Sequence, residues 1–325
     1  MASKIINWGI IGAGKIASKF ATDINALKGA KLYGIASRNL EKAQHFALKF
    51  NANKAYGAYK DLVLDPKIDA IYIATPHSFH KTHTLLCLDH KKPVLCEKPF
   101  AMNIDEVNEM IKASKENNTL LMEAMWTAFL PHFQYVQNLI HKKHFGNVIK
   151  LKADFGFFPE YDEASRLFNK SLGGGSLLDI GIYPVFAVLS TLGPPNSIEA
   201  DATFFQSGAD SECNIVFNYK DAKAILKSTL LEETKTEAIF YCDYGTIKIN
   251  KHFNEPSTVI LIDEHGNSEI KDFDYKTLGF SYEIEHFNGL IREGKTESSV
   301  MTFKRSQQLI NTLDTIRKLI GLEYF

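Results

Sequence analysis

None of the four cysteines, Cys87, Cys96, Cys213 and Cys242, stands in a CxxC pair. Scattered thiols indicate neither a zinc site nor a disulfide framework. The expectation is four reduced, mostly buried cysteines in a cytosolic protein. Charge of one sign is lacking too. Lys plus Arg number 37 against 38 Asp plus Glu, so no basic excess argues for a nucleic-acid surface and no acidic excess for disorder. No basic segment leads into an apolar stretch and a cleavage site at the start. No apolar run approaches the ~18 residues of a membrane span. Neither nucleic acid nor membrane is expected as a partner, and the expected location is cytoplasmic. Repeats and low-complexity segments are missing as well. What remains is a chain of 325 residues with 45% hydrophobic content, long enough for two domains that each bury a core.

The first third alternates short apolar runs with helical patterns. Residues 5–11, 31–37, 70–74, 94–97 and 120–124 read as strands. Residues 16–27, 40–50, 82–89 and 104–117 read as helices, and 56–64 as a short irregular or helical piece. Strands alternating with helices of this length imply right-handed βαβ units and a parallel sheet covered on both faces. The pattern changes after Trp126. Residues 131–141 read as a connecting helix. Strand-like runs then occupy 148–158, 198–206, 213–219, 223–231, 238–242, 246–250, 258–263 and 268–273. Several are separated by short polar gaps such as His265-Gly266-Asn267, which suggests antiparallel meanders. Helices near 282–293 and 302–320 close the pattern. The expected fold class is α/β: an N-terminal Rossmann parallel sheet over residues 1–125, then an α+β domain over 126–325 on a large, mostly antiparallel open sheet.

Gly12-Ala13-Gly14-Lys15-Ile16-Ala17 comes after the first strand and opens the first helix. The first glycine permits the tight turn, the second lets backbone approach a pyrophosphate, and the small Ala17 allows close helix–strand packing. The N–H groups of Lys15 and Ile16 then lie at the positive end of a helix dipole. The second strand ends in Ser37-Arg38-Asn39, with no carboxylate to bind ribose hydroxyls. Arg38 can pair with a 2′-phosphate and stack on adenine, so the expected cofactor is NADP rather than NAD. Glu97-Lys98-Pro99 lies at the C-terminal end of a buried strand, the edge where open parallel sheets bind ligands. A lysine there can reach the crevice beside the nicotinamide and hydrogen-bond a substrate hydroxyl or carbonyl. A solvated lysine at a strand end is the plain alternative.

These segments, with IATPHSFH at residues 73–80, CEKPF at 96–100 and GGGSLLDIGIY at 173–183, resemble the glucose–fructose oxidoreductase, inositol dehydrogenase and MocA family. The resemblance covers nearly the whole chain in order and spacing. Within the family, MEAMWTAFLP at 122–131 and Ala36-Ser37-Arg38 are most similar to dimeric dihydrodiol dehydrogenases and NADP-linked aldose (xylose) dehydrogenases. It implies NADP-linked oxidation of a secondary alcohol, cyclic diol or aldose hydroxyl, or the reverse reduction. A homo-oligomer, dimer or tetramer, formed through the C-terminal sheet is implied as well. By position, Lys98 matches the family's catalytic-region lysine, and Asp179 and Tyr183 match the polar pair of the second block. Thr75, Pro76 and His80 match a TP-x-x-x-H motif on the cofactor side, with Glu97 beside Lys98. The family often has histidine where this chain has Tyr183, notably in inositol dehydrogenases, which counts against an inositol substrate.

In the second block, Gly173-Gly174-Gly175-Ser176 can supply a flexible entry and a cap for the next helix. Asp179 and Tyr183, four apart, would share a helical face, with Pro184 kinking it unless a break falls there. Tyr183 is then the proton donor or acceptor, and its ordinary pKa near ~10 must fall, which the Lys98 ammonium would favour. Asp179 would orient the substrate hydroxyl or the lysine. An assignment with Lys98 as acid–base and Tyr183 as positioning group is equally compatible. Trp126, Phe155 and Arg166 complete the substrate side, against core packing for the aromatics and a surface role for the arginine. His77, His80 and His83 lack the accompanying carboxylate pattern of a metal site, and no metal is expected. A non-catalytic nucleotide sensor and an imine- or amine-forming reductase are the rival functions.

Overall fold

The computed structural model describes residues 4–324. It divides into two compact units, each discontinuous in sequence: Met1–Trp126 with Lys276–Ile310, and Thr127–Tyr275 with Asn311–Phe325. The sequence reading divides the chain once, between 125 and 126. Return of the chain to the first unit is a long-range outcome of the kind that local patterning does not carry.

The first unit contains β1 (Ile6–Ile11), α1 (Lys15–Ala26), β2 (Ala30–Ala36), α2 (Leu40–Phe50), β3 (Lys54–Tyr56), α3 (Tyr59–Leu64), β4 (Ala70–Ile73), α4 (His80–Asp89), β5 (Val94–Glu97), α5 (Ile104–Asn117) and β6 (Leu121–Ala124). Among the described residues its sheet has six strands in the order β3-β2-β1-β4-β5-β6, all paired in parallel. The order reverses between β1 and β4, and ligands bind outside the carboxyl ends of strands at such a switch point. Every residue of β4, β5 and β6 is buried, as continuous apolar runs covered on both faces require. The edge strand β3 has three residues, too short to display alternation, and sequence patterning merges it with α3. Local capping chemistry sets two helices. Asn39 and Asn103 accept the backbone N–H of Lys42 and Glu106, while Asn51 and Asn118 end the same helices at φ 55° and 50°.

After the second unit, α8 (Phe280–Arg292) belongs to the first again. Gly279 gives it no side-chain cap. Asp23 of α1 does so instead, accepting the N–H groups of Leu278 and Ser281 at 3.0 Å each. Trp8 donates to Asn288 at 3.1 Å, and Phe20 stacks on Tyr72 with ring centroids 3.6 Å apart. The same helix carries Glu283, fully buried, with neither carboxyl oxygen hydrogen-bonded. Burial, then the charges of Glu97 and Asp23, pushes its carboxyl well above the ordinary range. Glu123 on β6 is raised to about 7, mainly by burial. Such groups hold their proton more tightly folded than unfolded. Their favourable share is full below the ordinary carboxylate range and is lost as pH rises through the folded value. Glu283→Met should therefore raise stability by about 1–3 kcal/mol near neutrality and flatten its decline toward alkaline pH. Thermal unfolding measured from acid to alkaline pH checks this. An unchanged pH profile would contradict it.

The second unit contains α6 (Pro131–His141), β7 (Val148–Gly156), α7 (Ile182–Thr191), β8 (Ser197–Phe204), β9 (Asp210–Asn218), β10 (Lys223–Thr229), β11 (Ala238–Cys242), β12 (Gly245–Ile249), β13 (Val259–Asp263) and β14 (Ser268–Lys271). The final helix, α9 (Phe303–Leu319), has its last turns there. Eight strands among the described residues run in the order β14-β13-β12-β11-β7-β10-β9-β8, antiparallel except for the β7–β10 pair. The large, mostly antiparallel sheet expected from sequence is present. Alternation sets its faces: Leu151, Ala153, Ala224, Leu226, Phe240 and Ile247 are buried, and α7 packs on β7 and β10. Their neighbours Lys152, Lys223 and Ile225 are exposed.

By length and composition the segment Lys170–Thr191, whose most apolar 18-residue window has mean hydropathy 1.6, would pass as a membrane span, which the reading of apolar runs does not anticipate. Eighty-nine per cent of its most apolar window is buried, and it is a core segment interrupted by the glycine block.

Candidate active site

In the first unit, the turn after β1 is built by backbone. Gly12 has φ +101° and donates to Ala36 O at 3.0 Å. Gly14 precedes α1 with no side-chain cap, and the space where its Cβ would stand is open. Ala17, in the first turn of α1, is fully buried, as its small size suggests. Lys15 is exposed and Ile16 half-buried. The first turn of α1 therefore offers N–H groups beside an unobstructed glycine, which suits a phosphate. At the end of β2, Ser37 accepts the Asn39 N–H at 3.3 Å. Capping of α2 falls to Asn39, so the exposed Arg38 is not engaged as a cap. Its guanidinium stands 6.0 Å from the Phe79 ring centroid.

The loops after β4 and β5 are tied by His80. Its ring is fully buried, with Nδ1 2.8 Å from Pro99 O and Nε2 2.9 Å from Thr75 O. Burial lowers its pKa to about 4, so at neutral pH the imidazole has one N–H, which donates to one of the two carbonyls. His80 thus sits behind the loops and sets the spacing of Thr75-Pro76 and Lys98-Pro99. Thr75 Oγ1 is 3.0 Å from His83 Nδ1, and Pro76 leads into a short 3₁₀ turn. The Lys98–Pro99 peptide is cis. Glu97 is buried; Tyr72 Oη donates to its Oε1, and the Lys98 N–H donates to its Oε2 at 3.2 Å. Lys98 is half-buried at the strand end. Glu123 accepts the Phe100 N–H at 3.1 Å, anchoring the far side of the same loop. Trp126 stacks on Phe280 at 4.3 Å and is buried.

In the second unit, the glycine block and the turn beyond it depart from the sequence expectation twice. Asp179 lies in a π-helical turn, Leu177–Gly181, and Tyr183 in the first turn of α7. They do not share one regular α-helical face. The wider turn also settles Pro184: it falls early in α7, where a missing N–H costs little. Ser176 is not a cap. Its hydroxyl donates to Asp210 Oδ2 at 2.8 Å, and that same oxygen accepts the Leu177 N–H at 2.6 Å. A remote carboxylate performs the capping that local patterning assigns to the serine. Arg166 is drawn in as well, donating from Nη1 to Asp179 Oδ1 at 2.9 Å and from Nη2 to Oδ2 at 3.5 Å. Phe155 and Tyr183 have ring centroids 5.8 Å apart, and both Asp179 and Tyr183 are buried. The second unit thus gathers Phe155, Arg166, Asp179 and Tyr183. Among the described residues no group of three or more His, Cys, Asp or Glu is arranged to hold a metal ion. Tyr72, Glu123, Asp210 and Phe280 escape sequence reasoning, because each acts through partners remote in the chain.

Two family models match this chain, one within each unit. The model described as an oxidoreductase family with an NAD-binding Rossmann fold matches residues 6–125, and the GFO/IDH/MocA C-terminal domain matches residues 133–248. This chain belongs to the GFO/IDH/MocA oxidoreductase family. Other members agree over the full length. A trans-1,2-dihydrobenzene-1,2-diol dehydrogenase from Xenopus tropicalis is 34% identical over 100% of both chains. An NADP(+)-linked scyllo-inositol 2-dehydrogenase from Bacillus subtilis is 34% identical over 98% of both. The fold is shared with an aldose-aldose oxidoreductase from Caulobacter crescentus at 21% identity, with a TM-score of 0.89 over 98% of both chains.

Proposed function

We propose that this GFO/IDH/MocA member is an NADP-dependent dehydrogenase. It moves a hydride between nicotinamide and a secondary alcohol, cyclic diol or aldose hydroxyl. The observation that carries the reading is the placement of Lys98 at the carboxyl end of β5, in a unit whose glycine turn leaves the start of α1 open to a phosphate. The relatives' names support the substrate class, since they act on a dihydrodiol and an inositol.

NADP would be held by the N–H groups at Gly14, Lys15 and Ile16, by Ser37 and Arg38, and by the loops at Thr75-Pro76 and Glu97-Lys98. When bound, NADP supplies the hydride acceptor. The chain's own residues do the rest. Tyr183 or Lys98 takes the proton from the substrate hydroxyl. Asp179, held by Arg166, orients that group, while Trp126 and Phe155 offer flat apolar walls. His80 acts from behind, by fixing the loop that carries Lys98. The tyrosine at 183 does not remove inositols from consideration, given the scyllo-inositol dehydrogenase among the relatives.

Arg38→Ala should raise the KM for NADP about tenfold, the loss of one charge-assisted contact worth ~1.4 kcal/mol, and leave the KM for NAD little changed. Steady-state kinetics with both cofactors measures this. A wild-type preference for NAD would contradict the role given to Arg38. The substrate test monitors the near-ultraviolet absorbance of reduced nicotinamide across sugars, inositols and dihydrodiols, with NADP and NAD in parallel. Absorbance growth with a polyol supports the dehydrogenase; silence with every compound favours a nucleotide-sensing module. A cytoplasmic location accords with four free, buried cysteines. Association of copies through the second unit's sheet accords with the exposed Ile149, Ile225 and Ile270 on its strands.

A further inference from the structure

Asp210 is a buried acid that the proposed reaction does not use. It sits on β9 with no exposed surface. Its Oδ2 takes the Ser176 hydroxyl and the Leu177 N–H, while Oδ1 is buried without a hydrogen-bond partner. That oxygen lies against Gly175, where a Cβ would overlap it, and Gly175 has φ +119°. On stability grounds this is a poor arrangement. A serine or asparagine cap does the same work without burying a carboxylate, and Ser176 stands at the correct place but turns its hydroxyl away.

A second group holds the same few residues from another direction. Tyr324, in the segment after α9, is buried and donates its hydroxyl to Gly174 O at 3.2 Å. Burial pushes that phenol well above its ordinary range, with the charge of Asp210 acting in the same direction, so it remains a donor. Arg317 of α9 lies 5.2 Å from the Tyr324 ring centroid and pairs with Asp314. The strap that carries Arg166 is attached to the same block, since Gly174 N donates to Asn169 O and Gly175 N to Leu167 O at 3.0 and 2.9 Å. Residues 174–177 are therefore pinned by a tyrosine, a carboxylate and a strap. Asp179 comes two residues later, and the strap's own arginine holds its carboxylate.

We propose that Asp210 and Tyr324 are positioning residues of the reaction: they clamp the backbone that enters the π-turn and so hold Asp179 and Tyr183 in register. The inference rests on the reading that Asp179 and Tyr183 serve the proton chemistry. Displacing a catalytic group by about 1 Å costs about 10²-fold in rate, so the clamp should be visible in kcat rather than in binding.

Tyr324→Phe removes one hydroxyl and keeps the ring. It should lower kcat about 10- to 100-fold, with the KM for polyol and the NADP dissociation constant near wild type. Asp210→Ala should act in the same direction. Asp210→Asn should recover most of that loss, because its amide oxygen can still accept from Leu177 and Ser176. A Tyr324→Phe protein with lowered unfolding temperature but wild-type kcat would reduce Tyr324 to a structural anchor and overturn the proposal. If Asp210→Ala does not fold, Tyr324→Phe decides alone. Tyr183→Phe is run beside them. Its retention of turnover would sink the underlying reading, whereas its inactivity with wild-type rates in Tyr324→Phe would sink the clamp only.

Discussion

Lys98→Met and Tyr183→Phe should each abolish turnover while NADP still binds. Methionine keeps much of the lysine's length and removes its ammonium. Phenylalanine keeps the tyrosine ring, which has Phe155 beside it at 5.8 Å. Both changes therefore leave packing nearly intact and delete a proton-handling atom. General acid–base catalysis contributes roughly 10²–10⁴-fold, and losing the group that takes the hydroxyl proton should cost at least the upper part of that range. Most of the binding is held elsewhere, by the N–H groups at the start of α1 and by Arg38, and the loop backbone at Lys98 is kept in Lys98→Met, so titration of NADP into either variant should give a dissociation constant within about tenfold of wild type. Rates like wild type in both variants would end the assignment. A loss in only one would separate the proton acceptor from the group that positions the hydroxyl.

Gly12→Ala should weaken the first unit and NADP binding together. At φ +101° an L side chain is strained whatever the space. Here there is no space: the added Cβ would stand 2.6 Å from Ala74 O and 2.9 Å from Ala74 C. Both are backbone atoms at the end of β4 and cannot rotate away as a side chain would. The turn must move, and the first N–H groups of α1 move with it. A loss of roughly 3 kcal/mol in stability and a large fall in NADP affinity are expected. Gly14→Ala is the informative contrast. Nothing lies within 4 Å of its added Cβ, so the unliganded fold should tolerate it while the methyl obstructs phosphate approach. Thermal unfolding and NADP titration of both variants check the pair. Equal binding in wild type and Gly14→Ala would remove the glycine turn from the cofactor site.

The parallel sheet and the glycine turn are legible in the sequence because their signals are local. Runs such as residues 70–74 and 94–97 are short and apolar and stop at Pro76 and Pro99, and the structure places β4 and β5 there. The Asn caps of α2 and α5 act within three residues of themselves. The site is only partly legible. Lys98, Asp179 and Tyr183 can be singled out by motif, but their support cannot. The spacing of four between Asp179 and Tyr183 suggests a regular helix, whereas Asp210, 33 residues beyond Leu177, holds the entry to a π-turn. Arg166 reads as a surface residue or a ligand contact, and the structure gives it to Asp179.

By itself, the sequence determined the alternation of strands and helices, the turn at Gly12-Ala13-Gly14, the arginine in place of a carboxylate at the end of β2, and the presence of a lysine and a tyrosine, Lys98 and Tyr183, whose side-chain chemistry suits the proposed proton transfer. Each derives from periodicity, backbone freedom or side-chain chemistry within a few positions. Only the tertiary structure decided that α8 returns to the first unit with Asp23 as its cap, that Glu283 is buried with both carboxyl oxygens lacking a hydrogen bond, and that Asp210 and Tyr324 meet the glycine block. Burial and long-range hydrogen bonding depend on which segments come together in space, and no local pattern encodes that meeting.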